Sequence, residues 1–153
     1  MKALFIGLGS VGQRHLQNFT RLRPQYTSIL AYRTTSFDKV IKNGNIIQGK
    51  TLADYYNITE FNNIENALNE NPDVSFICNP NNLHIQTAFK IAERGVHLFI
   101  EKPLSITESG ITELESKILE NNLINMVGYQ TRFHPLALEV NNIVKSYAYE
   151  DGY

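Results

Sequence analysis

Six residues into a chain of 153, three glycines recur as Gly7-Leu8-Gly9-Ser10-Val11-Gly12. At a strand-to-helix junction this spacing makes a cradle for a pyrophosphate. The first glycine permits the tight turn, the second lets backbone approach the phosphates, and the third lets helix and strand pack closely. The helix that Ser10 and Val11 would open offers free N–H groups and a partial positive charge to the same anion. The bland alternative is a glycine-rich turn with no ligand. A second phosphate pattern, Gly44-Asn45-Ile46-Ile47-Gln48-Gly49-Lys50-Thr51, fits the nucleotide-triphosphate P-loop letter for letter. Its context is wrong. The preceding residues 38–43 read as an amphipathic helix and not a buried strand, and no apolar strand ending in Asp follows to hold magnesium.

About twenty residues past the glycines, an NAD site carries an acid for the ribose 2′-hydroxyl. Here the sequence is Ala31-Tyr32-Arg33-Thr34-Thr35-Ser36, with no acid. Arg33, followed by the hydroxyls of Thr34, Thr35 and Ser36, suits a 2′-phosphate and favours NADP over NAD. The alternative for Arg33 is a solvated charge at a strand end. Charge is unevenly distributed: residues 1–37 hold Lys2, Arg14, Arg21, Arg23 and Arg33 and no acid, in a chain of net charge −1. A basic lobe of this kind points to a small anionic ligand. No His/Cys/Asp cluster has metal-ligand spacing, so no metal is expected. His15 and His97 read as packing or helix-surface residues, and Cys78 as strand packing.

The elements that must position these groups alternate. Strands are predicted at Ala3–Ile6, Ser28–Arg33, Ile58–Phe61, Val74–Cys78, His97–Glu101 and Ile124–Tyr129. Helical stretches are predicted at Val11–Leu22, Phe37–Asn43, Thr51–Tyr56, Ile64–Asn69, Leu83–Arg94, Thr107–Asn121 and Pro135–Tyr147. Such alternation implies an α/β fold, a doubly wound parallel sheet with helices on both faces. Hydrophobic residues at 42% and charged residues at 19% describe an ordinary globular chain. No apolar run reaches a membrane span, the N-terminus reaches glycine too soon for a signal peptide, and nothing suggests nucleic acid. One cysteine excludes an internal disulfide and points to a reducing, cytoplasmic setting.

Four motifs in order carry a resemblance. They are Gly7–Gly12; Cys78-Asn79-Pro80-Asn81-Asn82-Leu83-His84; Glu101-Lys102-Pro103; and Gly128-Tyr129-Gln130-Thr131-Arg132-Phe133-His134-Pro135. Together, over about residues 2–145, they resemble the glucose–fructose oxidoreductase / inositol dehydrogenase / MocA family of NAD(P)-dependent oxidoreductases. The resemblance implies a Rossmann-like cofactor domain over residues 1–145, with 146–153 beginning a C-terminal substrate domain that is truncated or absent. It implies hydride transfer with a sugar or sugar-like alcohol or ketone and, in the complete protein, a possible homo-oligomer. By the same resemblance Lys102 is the catalytic cation. Asn79, Pro80 and Asn82 lie along ribose and pyrophosphate, Glu101 orients the nicotinamide ribose or Lys102, and Gln130 lines the nicotinamide side. His84 either caps its helix or reaches the cofactor. Lys102-Pro103 is the best candidate for a cis bond. The reading from a different class is a non-catalytic dinucleotide-binding or regulatory module.

Overall fold

The computed structural model describes residues 1–22, 27–34, 38–42 and 44–150, apart from the side chains of 148–150. Six strands run parallel: β1 (Lys2–Ile6), β2 (Ser28–Tyr32), β5 (Ile58–Phe61), β6 (Val74–Ile77), β7 (His97–Glu101) and β8 (Asn125–Gly128). Their order across the sheet is β5-β2-β1-β6-β7-β8. The chain therefore winds outward from β1 in one direction, then returns and winds outward in the other. This leaves a crevice between the carboxyl ends of β1 and β6, where open α/β sheets bind ligands.

β1 shows why the sheet is central. Ala3, Leu4, Phe5 and Ile6 are all buried, since alternate side chains enter two different cores. Leu4 and Ile6 join the core beneath α3 (Ile64–Leu68), α4 (His84–Glu93) and α5 (Ile111–Glu120). Ala3 and Phe5 join the core beneath α1 (Ser10–Leu22) and α2 (Leu52–Tyr56). On that second face Phe5 stacks on Phe76 with centroids 4.6 Å apart, and Phe19 meets both rings edge-on. Phe99 extends the aromatic row from β6 to β7.

The expected helix at Phe37–Asn43 is not there. Over its described part, Val40–Lys42 forms a strand, β3, paired antiparallel with β4 (Asn45–Ile47). Phe37 and Asn43 themselves lie outside the described residues. β-branched pairs on each side of Asn43-Gly44 are the sequence signal for a hairpin, and Gly44 takes the φ of +79° that such a turn requires. The Lys50-Thr51 segment then caps a five-residue helix: Thr51 Oγ1 accepts from the Asp54 amide. A hairpin feeding a single helical turn is not a P-loop.

Other boundaries move by a few residues. The helix expected from Thr107 starts at Ile111, because Gly110 turns the chain at a φ of +80°. Asparagines occupy the left-handed positions Asn57, Asn71 and Asn122, a conformation their short side chains tolerate better than most. α6 (Pro135–Glu150) continues across residue 145 and leaves Leu136, Val140, Ile143 and Val144 exposed. No described helix is long and apolar enough to cross a membrane.

Candidate functional site

Close packing dictates the glycine loop. Gly7 has a φ of +83°, and a Cβ on it would lie 2.8 Å from the Cys78 carbonyl oxygen. A Cβ on Gly12 would lie 2.1 Å from the Gly7 carbonyl oxygen. Both positions exclude side chains for reasons internal to the fold. Gly9 is different: a Cβ there meets nothing within 4 Å and points into open space. No internal contact among the described residues requires glycine at this position. Ser10 and Val11 open α1 beside it and are exposed.

The loop borders a cleft of about 630 Å³ over the β1–β6 crevice, lined by Gly9, Tyr32, Thr34, Asn79, Pro80 and Thr87, among others. The Asn79 side chain donates from Nδ2 to Thr87 Oγ1 at 2.9 Å, while its buried Oδ1 has no hydrogen-bond partner. A buried acceptor left unsatisfied costs about 1–3 kcal/mol, so a bound donor such as a sugar hydroxyl has a place waiting for it. The residues present therefore fit a dinucleotide. Cys78 also faces this cleft, but burial pushes its thiol up to about 12, with Glu101 adding to the rise and Arg14 opposing it. At neutral pH it is no nucleophile.

Two residues expected at the cofactor make further contacts within the protein. His84 is wholly buried, with Nδ1 2.8 Å from the Pro103 carbonyl oxygen and Nε2 2.9 Å from that of Asn79. It does not reach the cleft. Instead it ties the loop after β6 to the loop after β7, because both ring nitrogens are taken by backbone. Arg33 lines the cleft, yet its side chain is only 8% exposed and its Nη1 pairs with Glu60 and, at 3.2 Å, with Asp38. The acid that β2 lacks arrives from β5 and from the segment before β3. Arg33 is thus not a solvated strand-end charge: it lies at the cleft with two carboxylates beside it.

At the far end, Glu101 closes β7 and is buried. Its Oε2 accepts from the Lys102 amide at 3.0 Å, and its Oε1 lies 2.5 Å from His15 Nε2. His15 packs on Phe99 with centroids 4.8 Å apart. The histidine read as a packing or helix-surface residue therefore links α1 to the Lys102 turn. Its partner stands 86 residues away, and no local pattern announces it. Removing the ring by His15→Ala should strand a nearly buried carboxylate oxygen and cost about 1–3 kcal/mol. Urea denaturation reads that loss, and His15→Gln, which can still donate, should recover part of it. No change in the midpoint for His15→Ala would mean the link is idle.

Lys102 itself is exposed, and its ammonium has no ion-pair partner among the described residues. Lys102–Pro103 is cis, as the sequence suggested. Gln130 and Asn82 are exposed on single turns after β8 and after β6 and touch neither each other nor the glycine loop in any described hydrogen bond.

Known proteins resemble this chain in sequence and in fold. An oxidoreductase of Bacillus subtilis, YrbE, is 27% identical over 143 residues, which is 92% of this chain and 39% of that protein. The scyllo-inositol 2-dehydrogenase (NAD+) of the same organism is 25% identical, covering 88% of this chain and 37% of the relative. The solved scyllo-inositol dehydrogenase of Lactobacillus casei, with bound NAD(H) and scyllo-inositol, shares the fold with a TM-score of 0.75 at 21% identity, over 95% of this chain and 41% of that one. The chain thus spans about two-fifths of the length of these relatives. Residues 1–129, which hold the glycine loop, the Asn79 turn and the Glu101-Lys102-Pro103 corner, match the model of the oxidoreductase family with the NAD-binding Rossmann fold, GFO_IDH_MocA, and the chain belongs to that family.

Proposed function

We propose that residues 1–145 are the cofactor-binding half of an oxidoreductase that moves hydride between nicotinamide and a carbon of a sugar or cyclitol bearing a hydroxyl or keto group. The observation that carries this reading is the cleft. A glycine with open space above it, a helix N-terminus and an orphaned amide oxygen on Asn79 converge where a doubly wound sheet takes its ligand. The bound nicotinamide would supply the hydride acceptor or donor. The residues of this chain bind, orient and supply charge. Gly7 to Gly12 would face the pyrophosphate and Asn79 Oδ1 would accept from a ribose hydroxyl. Lys102 would stand beside the reacting C–O, where a cation stabilises developing alkoxide charge or takes and returns the hydroxyl proton. Glu101 holds the Lys102 amide and so aims that side chain. The substrate class rests on the inositol and sugar dehydrogenases among the relatives. The part of those relatives beyond this chain's span would hold the substrate's far side and any subunit contacts.

For the cofactor, we infer NAD in preference to NADP. A 2′-phosphate would approach two carboxylates, Glu60 and Asp38, that already compensate Arg33. A ribose 2′-hydroxyl, by contrast, would find acceptors there. Fluorescence titration should show NADH binding more tightly than NADPH. The double change Glu60→Gln with Asp38→Asn removes two carboxylates that would repel a 2′-phosphate and should move the NADPH-to-NADH preference by about tenfold or more toward NADPH. Preference for NADPH in the unaltered chain would overturn the inference about NAD. Failure to bind either dinucleotide would overturn the functional reading itself.

A further inference from the structure

A second cleft, of about 740 Å³, shares no lining residue with the dinucleotide cleft. One wall is a stripe of α1, formed by Arg14, Gln17, Asn18 and Arg21 at positions i, i+3, i+4 and i+7. The facing wall is Lys42 at the end of β3 with Tyr55 and Tyr56 at the end of α2.

The walls are fixed relative to one another. Gln13, wholly buried, donates to the carbonyls of Leu8 and Lys39 and accepts from the Ile41 amide at 2.7 Å. Gln17 donates to the Ile41 carbonyl at 2.5 Å. The hairpin is pinned to the helix by these bonds, so the space between them is preformed.

Its chemistry is one-sided. Arg14, Arg21 and Lys42 bring three cations, and among the described residues no carboxylate lines the space. Neither arginine forms an ion pair among the described residues. Lys42 Nζ donates to the Tyr55 hydroxyl at 3.3 Å, and Lys50 Nζ lies 5.9 Å from the centre of the same ring. The Tyr56 hydroxyl, in a residue more than nine-tenths buried, sits near Gln17 without completing a hydrogen bond. Burial raises its pKa above the ordinary value, with Gln17 pulling the other way, so the group stays a neutral O–H at physiological pH. Like charges gathered around a cavity, in a chain whose net charge is −1, focus a positive potential there. An aromatic flank and an unspent hydroxyl beside those charges are what a ligand with an anionic end and a polar body would use.

We propose that this cleft is a second binding site, for a small molecule that presents a phosphoryl group to Arg14, Arg21 and Lys42. The site lies outside the dinucleotide cleft and does not depend on the oxidoreductase reading.

Calorimetric titration with three probes tests it: inorganic phosphate, glucose 6-phosphate, and glucose as the uncharged control. The Gly9→Val chain is titrated in parallel, so that phosphate held by the glycine loop is counted separately. Both phosphoryl probes should bind the Gly9→Val chain while glucose does not. Equal affinity for the two would assign recognition to the phosphoryl group alone, and tighter glucose 6-phosphate would assign an ester to the site. Arg21→Ser combined with Lys42→Gln changes two exposed side chains away from the glycine loop and should leave NADH binding intact. It should weaken both phosphoryl probes by about tenfold or more, the worth of one or two hydrogen bonds to a charged group. The proposal is overturned if Gly9→Val abolishes phosphoryl binding, or if the double variant binds both probes as the unaltered chain does.

Discussion

Replacing Gly9 by valine should yield a folded chain that no longer binds NADH. A Cβ at this position meets nothing within 4 Å, and Gly9 is not among the glycines with positive φ. The fold should therefore absorb the change within about 1 kcal/mol. A ligand cannot absorb it, because the branched side chain fills the space through which a pyrophosphate approaches the α1 amides. Losing two charge-assisted hydrogen bonds weakens binding by about a hundredfold or more. Gly12→Ala makes the contrasting control. Its single methyl would sit 2.1 Å from the Gly7 carbonyl oxygen, with the Cys78 Cβ at 3.4 Å on another side. Backbone would have to move, at a cost of about 3 kcal/mol or more. Thermal melts and NADH titrations on both variants separate the two roles. An intact NADH affinity in Gly9→Val would remove the pyrophosphate from this loop.

The contrast between these glycines was legible in the motif, whose spacing already predicts a turn at Gly7, an open approach at Gly9 and close packing at Gly12. The structure adds the distances: a Cβ would meet backbone at 2.8 Å on Gly7 and 2.1 Å on Gly12, and nothing within 4 Å on Gly9. The centre of the parallel sheet was legible because β1 is buried on both faces and reads as an unbroken apolar run, Ala3–Ile6. The β3–β4 hairpin was missed, although Asn43-Gly44 between β-branched residues is its local signature. A charged residue on each side of Val40-Ile41 imitated a helical period, and three residues are too few to tell the periods apart.

What sequence leaves out at the site has a different cause. His15 meets Glu101 across 86 positions, and Arg33 meets Glu60 across 27. Neither pair has any spacing rule behind it, since parallel strands and their crossovers bring such partners together only after folding. Arg33 illustrates the consequence. Read locally, a strand ending in Arg without an acid suits NADP; read in three dimensions, the acid comes from the neighbouring strand, at the position paired with Ala31. His84 is the reverse case. Its place at the head of α4 left two roles open, and the short contacts of both ring nitrogens with backbone carbonyls of Asn79 and Pro103 make it a brace.

The 153-residue chain should bind the dinucleotide and yet turn over sugars and inositols at least about 10⁵-fold more slowly than a relative of full length. The expectation follows from what surrounds Lys102. It is exposed at the end of β7, and Gln130, Tyr129 and Phe133 beyond β8 are exposed as well. Arg132 lies over the Phe133 ring, 5.9 Å from its centre. These residues build one wall. Hydride transfer needs the substrate carbon held about 3–3.5 Å from its partner, and that positioning is worth about 7–11 kcal/mol of barrier, or five to eight powers of ten. A single cation supplies charge without orientation, and in an open site water weakens even the charge. The measurement is NADH formation by the purified chain, with NAD and NADP, over a panel of sugars, amino sugars and inositols, with dinucleotide binding recorded on the same sample. Lys102→Ala should leave that binding nearly unchanged and, on so low a baseline, alter turnover little. Robust turnover that vanishes in Lys102→Ala would mean that this wall alone positions the substrate, and the division of labour argued here would have to be abandoned.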